Sequence, residues 1–159
     1  MTPFSFDDKT MKVLANFASI NPSMIIQPDK LSVRNNTNSC IGFYPFANSY
    51  DFEEFGLYEA PEFLSALSVF DTAPTIDVKD KYLLISSKEN KLKYFTTAKN
   101  LLPQVPDVAT KFEKVKCGLE FTLRADKLAL INKISTILKS KYILFETQKK
   151  KILITIANE

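Results

Sequence analysis

The sequence predicts an α+β fold built from repeated strand–helix–strand units, and three observations carry that prediction. A stretch after Asp7 and Asp8 sorts apolar and polar residues onto opposite sides of a helical wheel. Many short runs rich in β-branched and aromatic residues are separated by turn residues. The order strand, helix, three strands then recurs along the chain. Periods of roughly 20–50 residues mark repeated supersecondary units, each too small to bury its own sheet and helix faces.

Asp7 or Asp8 can cap a helix running to about Ile20. Met11, Val13, Leu14, Phe17, Ala18 and Ile20 fall on its dry side, and Lys9, Lys12, Asn16 and Ser19 on its wet side. Asn21-Pro22 stops it. Strands are expected in "MIIQ" (24–27), "LSVRN" (31–35) and "CIGFYPF" (40–46), with turns at Pro28-Asp29 and in the polar loop 36–39. "FEEFGLYE" (52–59) reads as the next strand. Pro61 then fits the first turn of a helix to about Phe70, where its missing N–H costs nothing. Strands follow in 75–80, 82–89 and 91–98, joined at Asp80-Lys81 and Glu89-Asn90. Two prolines and weak periodicity make 99–116 an extended connector. The order restarts with a strand in "CGLEFTLR" (117–124), a helix over 125–141, and strands at 142–148 and 151–159 around a basic turn. The division is thus a complete domain over 1–98, a connector over 99–116, and an incomplete second domain over 117–159.

Composition narrows the function. The chain has 159 residues, 45% hydrophobic and 25% charged, with net charge +3. It has no histidine, which removes histidine bases and histidine metal ligands. Its three glycines are not spaced to cradle a phosphate. Cys40 and Cys117 lie in strand-like runs and read as small buried apolar residues rather than a disulfide. No apolar run is long enough for a membrane span, and no basic-then-apolar leader opens the chain.

The helices share a mild polar side. The last helix sets Leu128, Leu130, Ile131, Ile134, Ile137 and Leu138 against Asn132, Lys133, Thr136, Lys139 and Ser140. The middle helix offers Ser65 and Ser68, with Glu62 at its entrance. With all helices on one sheet face, these sides form one surface of Lys, Asn, Ser and Thr. Such a surface suits loose, sequence-independent contact with a phosphate backbone, and equally suits plain solvation.

Specific residues then meet a family. "KTMKVLANFASIN" (9–21) closely resembles the first helix of the T-even bacteriophage type of DNA polymerase sliding clamp, including the "NFASIN" ending. "FGLYEAPEFLSALSVF" (55–70) resembles that family's second strand–helix unit, and 116–159 the start of its second domain. The resemblance implies a DNA clamp fold and a processivity factor: a homotrimeric ring, lined by helices, that encircles duplex DNA and tethers the polymerase. An ATP-driven loader opens such rings, and the clamp itself has no catalytic residues, no cofactor and no metal. It implies that Lys9, Lys12, Asn16, Ser65, Ser68, Asn132, Lys133, Thr136 and Lys139 face DNA, in the cytoplasm of a phage host. Family members continue for about one more strand and a fourth unit, so a fragment or shortened variant is expected. The open, apolar edge at "KILITIANE" should then self-associate.

Two other readings compete. Asp7-Asp8 or Glu53-Glu54 could hold a metal, but neighbours on a strand point to opposite faces, and Asp7-Asp8 fits a helix cap better. A protein-binding module could use Leu101, Leu102, Val105 and Phe112 of the connector to dock partner peptides, or the same residues could strap the connector onto the sheet.

Overall fold

The computed structural model describes residues 2–106, 116, 120–148 and 151–158. The chain divides into two compact units, Met1–Lys111 and Phe112–Glu159.

The first unit begins with Phe4, whose N–H donates to the Ile76 carbonyl at 3.0 Å and whose carbonyl accepts from Ile76. This bridge is the leading strand of the first repeat, absent from the sequence reading because a single bridged residue leaves no alternation to detect. Helix α1 spans Asp8–Ile20. The Asp7 carboxylate caps it by accepting from the Thr10 amide at 2.6 Å. That hydrogen bond, near the positive helix end, holds the carboxyl below its ordinary pKa of 3.8. Strands β1 (Met24–Ile26), β2 (Lys30–Arg34) and β3 (Ile41–Pro45) form an antiparallel meander. Buried Asn21 fixes the exit from α1: its amide donates to the Arg34 carbonyl at 2.8 Å, and its side-chain oxygen accepts from the Ser23 amide.

The second repeat is β4 (Phe55–Leu57), α2 (Ala60–Ser68), β5 (Thr75–Val78), β6 (Tyr82–Ser86) and β7 (Lys91–Phe95). Phe52–Glu54, expected as strand, is irregular. Phe52 turns inward to stack on Phe4 at 4.5 Å between ring centroids, which takes that stretch out of line with β1. Glu59 gives α2 no side-chain cap; instead the Ala60 amide donates to the Pro22 carbonyl at 2.8 Å.

Sheet order is β3-β2-β1-β4 and β5-β6-β7. The two sheets meet where Gly56 bridges Thr97. A Cβ on Gly56 would overlap the Thr97 carbonyl and Leu102, so only glycine allows this approach. The pairing is reciprocal. The leading strand of the first half, Phe4, joins the first strand beyond α2, and the leading strand of the second half, β4, joins the first strand beyond α1. The helices run antiparallel: the start of α1 (Asp8, Met11) and the end of α2 (Leu64, Leu67, Ser68) line one cleft of about 310 Å³. One core joins Leu14, Phe17, Ile26, Leu31, Phe63, Leu83 and Ile85. Thr10, given to neither side of α1 by the wheel, is buried beside the cap.

The connector begins with a 3-10 turn, Lys99–Leu101. Leu102 is buried against Gly56, while Leu101 is 72% exposed. Pro103, Gln104 and Val105 border the same small cleft as Ile25 and Ser32, on the sheet side away from Val33 and the core. Phe112 lies outside the described residues. Cys40, expected to be buried, is an exposed free thiol just ahead of β3. The Asn35-centred loop brings it to the surface: Asn35 Oδ1 accepts from the Ser39 and Cys40 amides. Cys117 lies outside the described residues.

The second unit contains α3 (Ala125–Leu138) and the hairpin β8 (Tyr142–Gln148) and β9 (Lys151–Ala157). Two expectations change here. The helix ends at Leu138 instead of 141, because Tyr142 already opens β8. Lys139 takes a left-handed φ of 50° to close the last turn, with the Ser140 amide donating to the Ser135 carbonyl at 2.9 Å. Of the expected strand 117–124, residues 117–119 lie outside the described residues, and Glu120–Arg124 is irregular, with no ladder partner among the described residues.

The two units repeat one design. Counted from the N-caps Asp7 and Arg124, the apolar positions Phe4, Met11, Leu14, Phe17 and Ile20 fall in step with Phe121, Leu128, Ile131, Ile134 and Ile137. Leu14 and Ile131 are both buried. The rest of the expected dry face of α3 is not: Leu128, Leu130, Ile134, Ile137 and Leu138 are all exposed.

Candidate nucleic-acid interface

On α1, the turns that bury Thr10, Leu14, Phe17 and Ala18 leave Lys9, Lys12, Asn16 and Ser19 outward. Phe17 holds the helix down: its ring occupies the space over Gly42, where a Cβ would approach it to 2.9 Å. Lys9, Lys12 and Asn16 share a shallow groove with Phe43 and Tyr44 of β3. The Lys9 ammonium lies 5.6 Å from the Tyr44 ring centroid, within cation–π reach. The structure therefore brings together three of the residues read from the sequence and adds two aromatics. Their signal was weak, since Phe43 and Tyr44 read simply as strand residues.

On α2, Ser65 and Ser68 are exposed as expected, but each hydroxyl donates to its own helix. Ser65 Oγ donates to the Pro61 carbonyl at 2.9 Å, and Ser68 Oγ to the Ser65 carbonyl at 2.8 Å. Ser19 does the same to Asn16. What these hydroxyls present outward is lone pairs, so the cationic and amide N–H donors of this side come from Lys9, Lys12 and Asn16. Glu62 stands exposed in the first turn of α2.

In the second unit, Asn132, Lys133 and Thr136 lie exposed on α3, away from buried Ile131. The Thr136 hydroxyl donates to the Asn132 carbonyl at 2.8 Å. Lys139 is exposed but stands at the left-handed cap, beyond the last helical turn.

The carboxylate pairs are engaged elsewhere. Asp7 caps α1, and Glu54 Oε1 accepts from the Lys99 ammonium at 2.7 Å. Because residues 53 and 54 lie outside any strand, the opposite-face argument does not apply to them; Glu54's ion pair does. Among the described residues, no group of three His, Cys, Asp or Glu side chains is placed to hold a metal ion. Among them, too, no helix is long and apolar enough to cross a membrane.

No protein-family profile matches the chain. A curated protein does: the "Sliding clamp" of Vibrio phage KVP40 is 28% identical over 150 residues, covering 93% of this chain and 67% of the relative. The match runs through both units, and the antiparallel sheets with their helices are the fold class that the resemblance implied. Along most of its length the chain is thus similar to a phage sliding clamp.

Proposed function

We propose that the chain is a sliding-clamp subunit, a processivity factor that encircles duplex DNA and holds a DNA polymerase on its template. The observation that carries this reading is the match to a phage sliding clamp along nearly the whole chain. The first unit supports it physically. Its two antiparallel helices lie together, and their outward side bears Lys9, Lys12, Asn16, Ser65 and Ser68. Hydrated lysines attract phosphates without fixing a register, and inward-folded hydroxyls leave that surface free of rigid donors, which suits sliding.

In the assembled protein, Asn132, Lys133, Thr136 and Lys139 extend the same lining, as part of a homotrimeric ring. Lys139 reaches it from the cap of α3 instead of from its helical face. An ATP-driven loader places the ring on DNA in the host cytoplasm, and this chain performs no chemical step. On this reading a clamp domain spans 1–98, a connector 99–116, and a second clamp domain begins at 117.

Topology tests the reading. Loaded by its cognate loader and ATP, the assembled clamp stays on nicked circular duplex in high salt and is lost when the circle is cut. Equal retention on circular and linear DNA overturns it. Charge reversal at Lys9, Lys12, Lys133 and Lys139 lowers the loaded fraction; unchanged loading removes these lysines from the lining.

A further inference from the structure

We infer that Tyr44 is a positioning residue for DNA contact: the face of its ring holds the Lys9 ammonium over the groove between α1 and β3, along which a phosphate passes. This rests on the clamp reading and adds a sheet residue to a surface otherwise read from helices. A surface lysine samples many rotamers, and ordering them on DNA opposes binding. Lys9 differs in this respect from its neighbour in the groove. Its ammonium lies 5.6 Å from the Tyr44 ring centroid, whereas among the described residues no ring lies within cation–π reach of Lys12. Among the described residues Lys9 makes no ion pair either. The ring is therefore the partner that sets where this charge stands. Its quadrupole attracts the cation without a localised acceptor, so the ammonium N–H donors stay available to phosphate oxygens.

The platform is itself fixed. Tyr44 stands opposite Leu31 in the β2–β3 ladder, and Leu31 is fully buried, so Tyr44 faces the α1 side of the sheet. Its ring meets Phe46 edge-on at 6.2 Å, with 80° between the planes. Phe46 meets Tyr50 at 4.9 Å, and Tyr50 packs in turn on Phe4 and Phe6 of the core. A row of rings thus runs from the core to the groove, with Tyr44 at its outer end. Lys9, Lys12 and Asn16 are spaced by three and four residues, so they follow one side of α1 past that ring. The phosphate path that they mark runs along α1 beside β3. It does not run over α2, where the Ser65 and Ser68 hydroxyls donate back to their own helix.

A double-mutant cycle on the assembled clamp, read by titration with duplex DNA at low salt, tests the assignment. Tyr44→Leu should weaken binding about two- to fivefold per contacting subunit, the worth of one surface cation–π contact. The same loss should appear in a Lys12→Ala background and vanish in a Lys9→Ala background. Tyr44→Phe should bind as the parent does, because it keeps the ring face. A fully fluorinated phenylalanine ring at this position keeps the shape and packing but reverses the quadrupole, so it should bind as weakly as Tyr44→Leu with its circular dichroism unchanged. A loss that persists undiminished without Lys9 overturns the inference, and so does a fluorinated ring that binds like phenylalanine. Either failure leaves the clamp reading in place. If Lys9→Ala itself binds DNA as tightly as the parent, Lys9 touches no phosphate, and its place in the lining falls together with the inference.

Discussion

The Thr97 amide donates to the Gly56 carbonyl across 3.0 Å, and at this point the two sheets of the first unit become one layer. Leu102 closes over the same spot. A methyl group on Gly56 would meet both the Thr97 carbonyl and the Leu102 side chain. Gly56→Ala should therefore destabilise the first unit by about 1–3 kcal/mol, the usual cost of overpacking a tight site. Urea unfolding with an unchanged m-value and a lower midpoint is the expected result. A variant as stable as the parent would mean that the bridge can open without cost. Leu102→Ala removes one of the two clashes and should be destabilising alone, yet partly offset Gly56→Ala when combined with it.

Much of this fold was legible because helix and strand periodicities are local. α1 was read from cap to stop, since Asp7, the apolar spacing and Asn21-Pro22 all agree. What escaped depends on partners far away in sequence. Phe4 is a strand residue only because Ile76 lies beside it, and Glu120–Arg124 alternates like a strand but pairs with no strand among the described residues. The same division holds for the candidate interface. A helical wheel placed Lys9, Lys12 and Asn16 outward, but it could not show that Tyr44 stands beside Lys9 or that the serine hydroxyls turn back onto α2. Nor could it show that the apolar positions of α3 other than Ile131 are exposed, because a wheel names the side to be buried and not what buries it.

The Asp7 cap makes a pH-dependent contribution with a definite sign. Its carboxyl is held below 3.8 by the hydrogen bond from the Thr10 amide. A lowered folded-state pKa stabilises the fold above the unfolded value, and the contribution is lost as pH falls through the folded value. Asp7→Ala should lower Tm by a constant amount at neutral and mildly acidic pH. The gap to the parent should close below about pH 3.8. A gap that persists at lower pH would mean that the loss comes from packing and not from the charged cap.

Lys9 and Lys12 should carry electrostatic attraction to duplex DNA, with no dependence on base sequence. Each lysine that neutralises a phosphate adds about 1 to the slope of log affinity against log salt. Lys9→Glu with Lys12→Glu should weaken binding to unrelated duplexes equally and flatten that slope by roughly 2. Lys93→Glu is the control. Lys93 stands on β7, its ammonium 4.0 Å from the ring centroid of Tyr82 on β6, so its loss should leave DNA titrations unchanged. An equal effect from Lys93 would point to diffuse charge in place of a helix-lined surface.

The serines of α2 should prove dispensable for DNA contact despite their exposure. A phosphate oxygen needs a donor, and the Ser65 and Ser68 hydrogens are already committed to the Pro61 and Ser65 carbonyls. Turning either outward means breaking a bond of 2.8–2.9 Å to make another of similar strength. Alanine at both positions should leave duplex titrations unchanged and alter stability by no more than about 0.5 kcal/mol, with better helix propensity opposing the lost bonds. Asn16→Ala should act differently, since it removes two N–H donors from the groove that holds Lys9 and Lys12. If the serine variants weaken binding as much as Asn16→Ala does, the hydroxyls must rotate outward in the complex, and α2 contacts the backbone directly.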